Sequence, residues 1–563
     1  MLSSPVAQAG SLPLRLTPPL VPKVRKSALV VSEQTGSLSF SKSGSAGIDA
    51  SASLGGVVLD AATNKLSLTV ALQANRKYSF SGHYGNSSPK VTLTDAKGKV
   101  SSASMTKAFT VAKSGTYTLS LAAGFSLTAF PELTGLSINA QSVLPKSSGD
   151  KNVDALLMGG TSEWWHPYDS SATVGPDKVS ATALGLDANS SSTSLTYSFL
   201  SAQPAGQSMT GFQEMTTAQK NAVRAAFAYY AKLINVTFTE VEGSGAANIN
   251  FGTNTQVGSA GYANLPDASG EKDKVFLYLA KNQSTNGDAG MAEGGYGWMT
   301  TLHEIGHTLG LKHPGNYNAG GGSAPPGPFL PTALDNRQYS IMSYHDNNVT
   351  QGANATTAML YDVAALQYLY GANKSSTTAT DGAFTFAGGS SYLKTLWSPS
   401  GTDNIDLSGL TNSSKVDLNA GSYSSINITA PAATQVYSGN YNVALAFGSK
   451  LNSVTLSSTV GVAESVTLNN AFGNGAFDNV GSFDASVDSI ALKASMFGKL
   501  TSANVVVGSA ATTAKTKIIV NNTTGDIYYD SDGSGKAAAK KIAHFSVIAG
   551  GAALSASNFS FVA

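Results

Sequence analysis

A chain of 563 residues exceeds what one ordinary core holds, so about two to four domains are expected. Its apolar fraction of 42% excludes a mainly disordered protein, and a net charge of +1 gives no basis for a nucleic acid partner. Charged residues are only 12% and glycines number 58, so the polar surface must come from Ser, Thr, Asn and Gly in a turn-rich, β-rich architecture.

Residues 1–30 are Pro-rich with a small basic cluster, Lys23, Arg25 and Lys26. They read as a flexible leader, or alternatively as a pro-segment that is trimmed away. The prolines interrupt any continuous apolar run, so no N-terminal secretory signal peptide is expected. No stretch of about 18 apolar residues provides a transmembrane helix. The absence of cysteine is compatible with export in an unfolded state. The chain therefore reads as cytoplasmic unless an export signal lies elsewhere.

Residues 31–145 change to short alternating runs at Gly56–Leu59, Leu66–Leu72, Tyr78–His83, Val91–Thr94, Phe109–Val111 and Tyr117–Leu121, punctuated by turns such as Asp95-Ala96-Lys97-Gly98. Short period-two strands at this spacing predict a β-sandwich. The segment FTVAKSGTYTLSLAAG resembles, at the level of fold, a small jelly-roll accessory domain found beside secreted proteases. The polar stretch QSVLPKSSGDKN then reads as a linker.

A second domain is expected over 150–375. Val223, Phe227, Tyr230 and Ile234 recur at helical spacing within Thr217–Asn235, and Asn235 can end that helix. Strands are expected at Val236–Val241, Ile249–Phe251 and Val275–Leu279, a helix from about Trp298 to Leu309, and another in MLYDVAALQYLYGAN. From 376 to 563 strands return. Lys415–Leu418, Ile426–Thr429, Val443–Phe447, Val454–Leu456 and Ser465–Leu468 suggest a stacked β-solenoid or sandwich, followed by Ile518–Val520, Ile527–Tyr529 and Phe545–Ile548.

The chemistry concentrates in Thr301–Gly315, TLHEIGHTLGLKHPG. On a helix, His303 and His307 share one face and can direct two imidazoles at one metal ion, while Glu304 is rotated off the pair. Gly310 permits a sharp turn that returns His313 as a third ligand. Three neutral imidazoles with one open position is the arrangement of a catalytic Zn2+, which lowers the pKa of bound water towards about 7. Glu304 then serves as general base. Met342 follows within SIMSY, completing H-E-x-x-H-x-x-G-x-x-H with a Met-turn. Tyr344 can be a further zinc ligand or a donor to a developing oxyanion, or simply a packed core tyrosine. His345 could line the cleft, and His166, beside Trp164 and Trp165, reads as non-catalytic.

The stretches HEIGHTLGLKHPGNYNAG, RQYSIMSY and DVAALQYLYGAN, with LTYSF at 195–199 and GTDNIDLSGL at 401–410, resemble the serralysin family of zinc metallopeptidases over roughly 153–420. The resemblance implies a metzincin-type α/β catalytic domain; with the N-terminal β-sandwich and the C-terminal β-solenoid or β-sandwich read from strand spacing, the expected fold is multidomain α+β, and the N-terminal 150 residues depart from the short pro-segment usual in the family. It implies a secreted endopeptidase of broad range acting on protein and peptide substrates. His303, His307 and His313 would bind zinc, Glu304 would be the general base, and Met342 would form the floor beneath the metal. Tyr344 would ligate zinc and swing away to stabilise the oxyanion. An edge strand before the zinc helix, here Gly261, Tyr262 and Ala263, would pair with the extended substrate.

The chain also departs from that pattern. Members of the family usually carry calcium-binding nonapeptide repeats, and no intact copy is present. Gly473–Asp478 and Gly401–Asn404 are degenerate fragments. The aspartates between 401 and 500 are Asp403, Asp406, Asp417, Asp478, Asp484 and Asp488, too few for a row of Ca2+ sites. Asp530–Gly535 reads as a plain turn or as a site for one Ca2+ ion. The ending SASNFSFVA resembles C-terminal signals of proteins exported by the type I secretion machinery, which would make the protein extracellular. The N-terminal β-domain is then an accessory or pro-domain that occludes the cleft of a zymogen or tethers the enzyme at a cell surface. A different reading is a cell-surface structural or binding protein whose protease domain serves self-processing or processing of a surface layer.

Overall fold

A computed structural model of the chain describes the strands between residues 29 and 142, with 92–101 in full, then 148 and 150–157. From 193 to 562 it describes all but 243–244, 246, 267–273, 319–324, 347–351, 390, 430–438, 470–475 and 549–550. The leader, His166 with its two tryptophans, and Gly473–Gly475 lie outside the described residues. The chain divides into two compact units, one of residues 1–73 and 78–139, the other of 74–77 and 140–563.

The strands of residues 29–142 form a six-stranded sheet, a three-stranded sheet and a two-stranded hairpin. Gly115–Ala122 sits centrally in the largest, antiparallel to both Lys65–Leu72 and Lys90–Asp95. Val100–Ser104 and Thr134–Ser142 are strands outside the expected runs.

The second unit contains two apolar cores. The first belongs to a sheet and four helices, numbered here from the start of this unit: β1 (Thr193–Phe199), β2 (Val236–Glu240), β3 (Ile249–Asn254), β4 (Gly261–Ala263), β5 (Val275–Ala280), and α1 (Lys151–Asp154), α2 (Thr217–Leu233), α3 (Tyr296–Thr308), α4 (Leu360–Tyr370). The sheet order is β2-β1-β3-β5-β4; the first four are parallel and β4 runs antiparallel at the edge. Parallel strands covered by helices explain why β3 is buried along its whole length. Helix α2 starts with a capping box between Thr216 and Gln219, and it buries Ala222, Val223, Ala226, Phe227, Tyr230 and Leu233. The Phe227 ring packs 4.6 Å from Tyr197, 4.4 Å from Phe238 and 5.6 Å from Phe251. Tyr230 Oη donates to Leu302 O of α3 at 2.8 Å, so the anchored helix in turn fixes the histidine-bearing one.

The second core is a stack of short parallel strands. Asn404–Asp406, Ser453–Thr455, Asp478–Phe483 and Lys540–Val547 follow one another on one side; Lys415–Asp417, Ser465–Thr467, Ser489–Lys493 and Phe559–Val562 do so on the other. In the three-residue strands the middle side chain points inward, so Ile405, Val416, Val454 and Val466 form apolar ladders. The strand expected at Ile426–Thr429 does not form: Asn427 adopts φ +59°, which breaks the extended run, although Ile426 is still buried. Tyr423–Ser424 takes its place, and Tyr423 Oη donates to Gln338 O just before the SIMSY turn.

Candidate metal centre and cleft

Helix α3 is buried nearly all round, and its end is dictated by Gly310 at φ +98°. Gly310 N donates to His307 O and Leu311 N to Gly306 O, the pair of bonds of a Schellman motif that needs a left-handed residue at its centre. The chain then reverses and brings His313 back over the helix. The ligating atoms of His303, His307 and His313 lie within 4.8 Å of one another, and they form a group that could hold a metal ion.

The outer ring nitrogens fix the tautomers. His303 Nδ1 stands 2.8 Å from Ile341 O and His307 Nδ1 2.7 Å from Leu311 O. A carbonyl only accepts, so each Nδ1 carries the proton and each Nε2 presents a lone pair inward. His313 Nε2 lies 3.0 Å from His307 Nε2 and 3.3 Å from His303 Nε2. Lone pairs that close repel, and a cation between them removes the repulsion. Burial, aided by the neighbouring imidazoles, pushes His303 down to about 3; burial pushes His307 down to about 4 and lowers His313 too. All three rings are therefore neutral at neutral pH, as ligands must be. Three converging imidazoles, two of them with carbonyl-held tautomers, fit zinc.

Glu304 lies beside them with its carboxyl buried, Oε2 without a hydrogen-bond partner, and burial pushes it up to about 8. A cleft of about 190 Å³ opens onto His303 and Glu304, walled by Gly258–Gly261, Tyr296, Met299, Thr300, Arg337, Ile341, Ser343 and Tyr344. The Tyr344 ring stands 4.5 Å from His313 and 6.0 Å from His303. Of the edge strand β4, Gly261 lines the cleft and Tyr262 is exposed. Met342 is fully buried, and its Sδ occupies the space a Cβ on Gly306 would need, 2.8 Å away. His345 does not line the cleft; its imidazole meets Tyr317 edge-on at 5.2 Å.

Two supporting groups escape a reading of the sequence. Asp362 of α4 accepts from Ser340 Oγ and Ile341 N at 2.6 Å each and from Met359 N at 2.8 Å. It thereby holds the turn whose Ile341 O orients His303. As the lone charge in LYDVAALQYLY it carries a signal in the sequence, without the partner that explains it. Tyr317 stacks on Tyr344 at 4.9 Å and donates to Asp335 Oδ1, which also accepts from Ser343 Oγ.

Several carboxylates of the stacked-strand region accept from backbone donors through at least one oxygen. Glu464 Oε2 accepts from Ser457 N, Asp488 from Glu464 N and Asp484 N, Asp478 Oδ2 from Asn469 N, and Asp530 Oδ1 from Asp532 N and Gly533 N. Among the described residues only the three histidines gather as a metal-competent group, so these side chains do not fit a row of calcium ions.

No family model matches the chain. It is 32% identical over 310 residues to metallopeptidase AprA of Pseudomonas marginalis, which covers 50% of this chain and 59% of that protein. It is 32% identical over 296 residues to a serralysin of Photorhabdus sp. (strain Az29), covering 49% and 57%, and 34% identical over 336 residues to serralysin C of Dickeya chrysanthemi, covering 55% and 63%. The matches thus span less than two thirds of the length of these curated relatives. Among solved structures, myroilysin aligns at 18% identity over 32% of this chain and 92% of its own, with a TM-score of 0.22, too low to carry a common fold. Over the matched half of its length the chain thus resembles these serralysins and the AprA metallopeptidase.

Proposed function

We propose that the protein is a secreted zinc-dependent endopeptidase. The observation that carries this reading is the convergence of three imidazoles beside a buried carboxyl, at a cleft bounded by a sheet edge. His303, His307 and His313 would hold the zinc, with Tyr344 as a further ligand. Bound zinc supplies Lewis acidity and lowers the pKa of water. Edge strand β4, at Gly261, Tyr262 and Ala263, pairs its free backbone groups with an extended peptide, which gives affinity with little demand on side chains. Glu304, whose buried carboxyl a cation held by the histidines would draw back to the carboxylate form, takes the proton of the attacking water and passes it to the leaving amine nitrogen. The Tyr344 hydroxyl donates to the oxygen of the scissile carbonyl as charge develops there. Met342, packed against Gly306, keeps the floor of the site apolar and rigid. Export by a type I route and an accessory or latency role for residues 31–145 complete the reading.

The test is digestion of casein by the purified full chain. Cleavage that stops with a chelator, returns with zinc, and falls by about 100-fold or more in Glu304→Ala with zinc content retained is the expected result. A Glu304→Ala protein that still digests casein overturns the mechanism. A wild-type chain that processes itself but leaves casein intact favours the surface-protein reading instead.

A further inference from the structure

Lys312 lies directly before the third histidine and is 1% exposed. An ammonium in such a place is costly unless its hydrogens are all used, and an apolar residue of the same length would fill the volume at less cost. Here the three N–H groups meet three carbonyls: Ala155 O at 2.5 Å, Pro328 O at 2.9 Å and His313 O at 3.3 Å. The Phe329 ring covers the ammonium at 5.1 Å, and burial pushes its pKa down to about 8.

The three carbonyls belong to separate stretches of chain. Ala155 follows α1, and the bridge between Leu157 and Leu311, with Lys312 N donating to Leu156 O at 2.9 Å, lays that segment along the returning loop. Pro328 belongs to the later loop, where Leu330 N donates to Pro314 O at 2.8 Å. His303 and His307 owe their spacing to the helix. His313 stands on a loop, so nothing intrinsic to a helix sets its position.

We propose that Lys312 is a positioning residue for the metal centre: its ammonium ties the His313 loop to Ala155 and Pro328, and so fixes where the third imidazole stands. The proposal rests on the reading of the three histidines as zinc ligands. It makes the short segment Asp150–Leu157 part of the scaffold of the site, although that segment is distant from it in sequence.

Full-length protein carrying Lys312→Met, which keeps the stem and deletes the donors, and Lys312→Gln, which keeps two N–H groups, tests this. Two readouts are independent of proteolysis: the rate of zinc loss to a chelator, and the visible spectrum of the cobalt-substituted protein. The expected result is zinc loss about 10- to 100-fold faster in Lys312→Met, a smaller change in Lys312→Gln, and a cobalt spectrum displaced from wild type in the same order. A folded Lys312→Met, or Lys312→Gln where the methionine variant does not fold, with wild-type zinc loss and cobalt spectrum overturns the proposal. Failure of both variants to fold, judged by far-UV circular dichroism, assigns Lys312 to the fold as a whole and overturns the positioning role. A wild-type chain that takes up no zinc instead removes the histidine reading on which the proposal stands.

Discussion

Gly261 and Glu304 are pressed together so closely that one added carbon does not fit between them. A Cβ on Gly261 would stand 2.9 Å from Glu304 Cγ and 3.0 Å from its Oε1. The sheet edge and the carboxyl are therefore placed against each other by a missing side chain. Gly261→Ala should displace the carboxyl by a few tenths of an ångström to an ångström and lower kcat/KM roughly 10- to 100-fold, with zinc content unchanged. Steady-state kinetics on a peptide substrate, beside metal analysis, checks this; unaltered kcat/KM would show that Glu304 adapts.

Tyr344 stacks on Tyr317 and meets His313 at a tilt of 57°. Tyr344→Phe keeps the stacking and deletes only the hydroxyl. If that hydroxyl donates to the developing oxyanion, kcat falls about 100-fold while KM changes little. A loss confined to KM would assign the tyrosine to substrate binding.

Met342 is fully enclosed against Gly306. Met342→Ala leaves a cavity beneath α3 and should cost about 2–5 kcal/mol of stability, read by chemical denaturation of the zinc-free protein. A cost below about 1 kcal/mol would mean that the turn collapses to fill the space.

Asp362 gives a pH dependence. Burial pushes its carboxyl up to about 7, against the donors of Ser340, Ile341 and Met359 that favour its charged form. A carboxyl with a folded pKa above its unfolded value contributes stability that is complete below about 4 and is lost as pH rises through about 7. Asp362→Asn cannot ionise and keeps an oxygen for the backbone donors. The melting temperature of wild type minus that of Asp362→Asn should decline between pH 4 and pH 8. A difference independent of pH would show that Asp362 does not change charge in this range.

Much of the site was legible in the sequence because helical geometry converts spacing into direction. His303 and His307 four apart, and Gly310 three beyond His307, specify a shared face and a reversal without reference to any other part of the chain. The strands of the stacked region were legible for a similar reason, since each buries its central residue. Ile426–Thr429 misled because apolar alternation says nothing about a left-handed φ at Asn427. Lys312 and Asp362 were present as residues but not as roles. A buried charge is explained only by its partners, and these lie at Ala155 and Pro328 for one and at Ser340 and Ile341 for the other.

The sequence by itself determined the donor set: three imidazoles, a neighbouring carboxyl, and the glycine that lets the chain turn back. These are local, because the period of a helix and the φ of one glycine set them. Tertiary structure alone decided the remainder: the tautomer of His303 set by Ile341 O, the contact of Gly261 with Glu304, and the tie from Lys312 to Ala155. Each of these joins atoms far apart along the chain, so only packing, and not spacing, could bring them together.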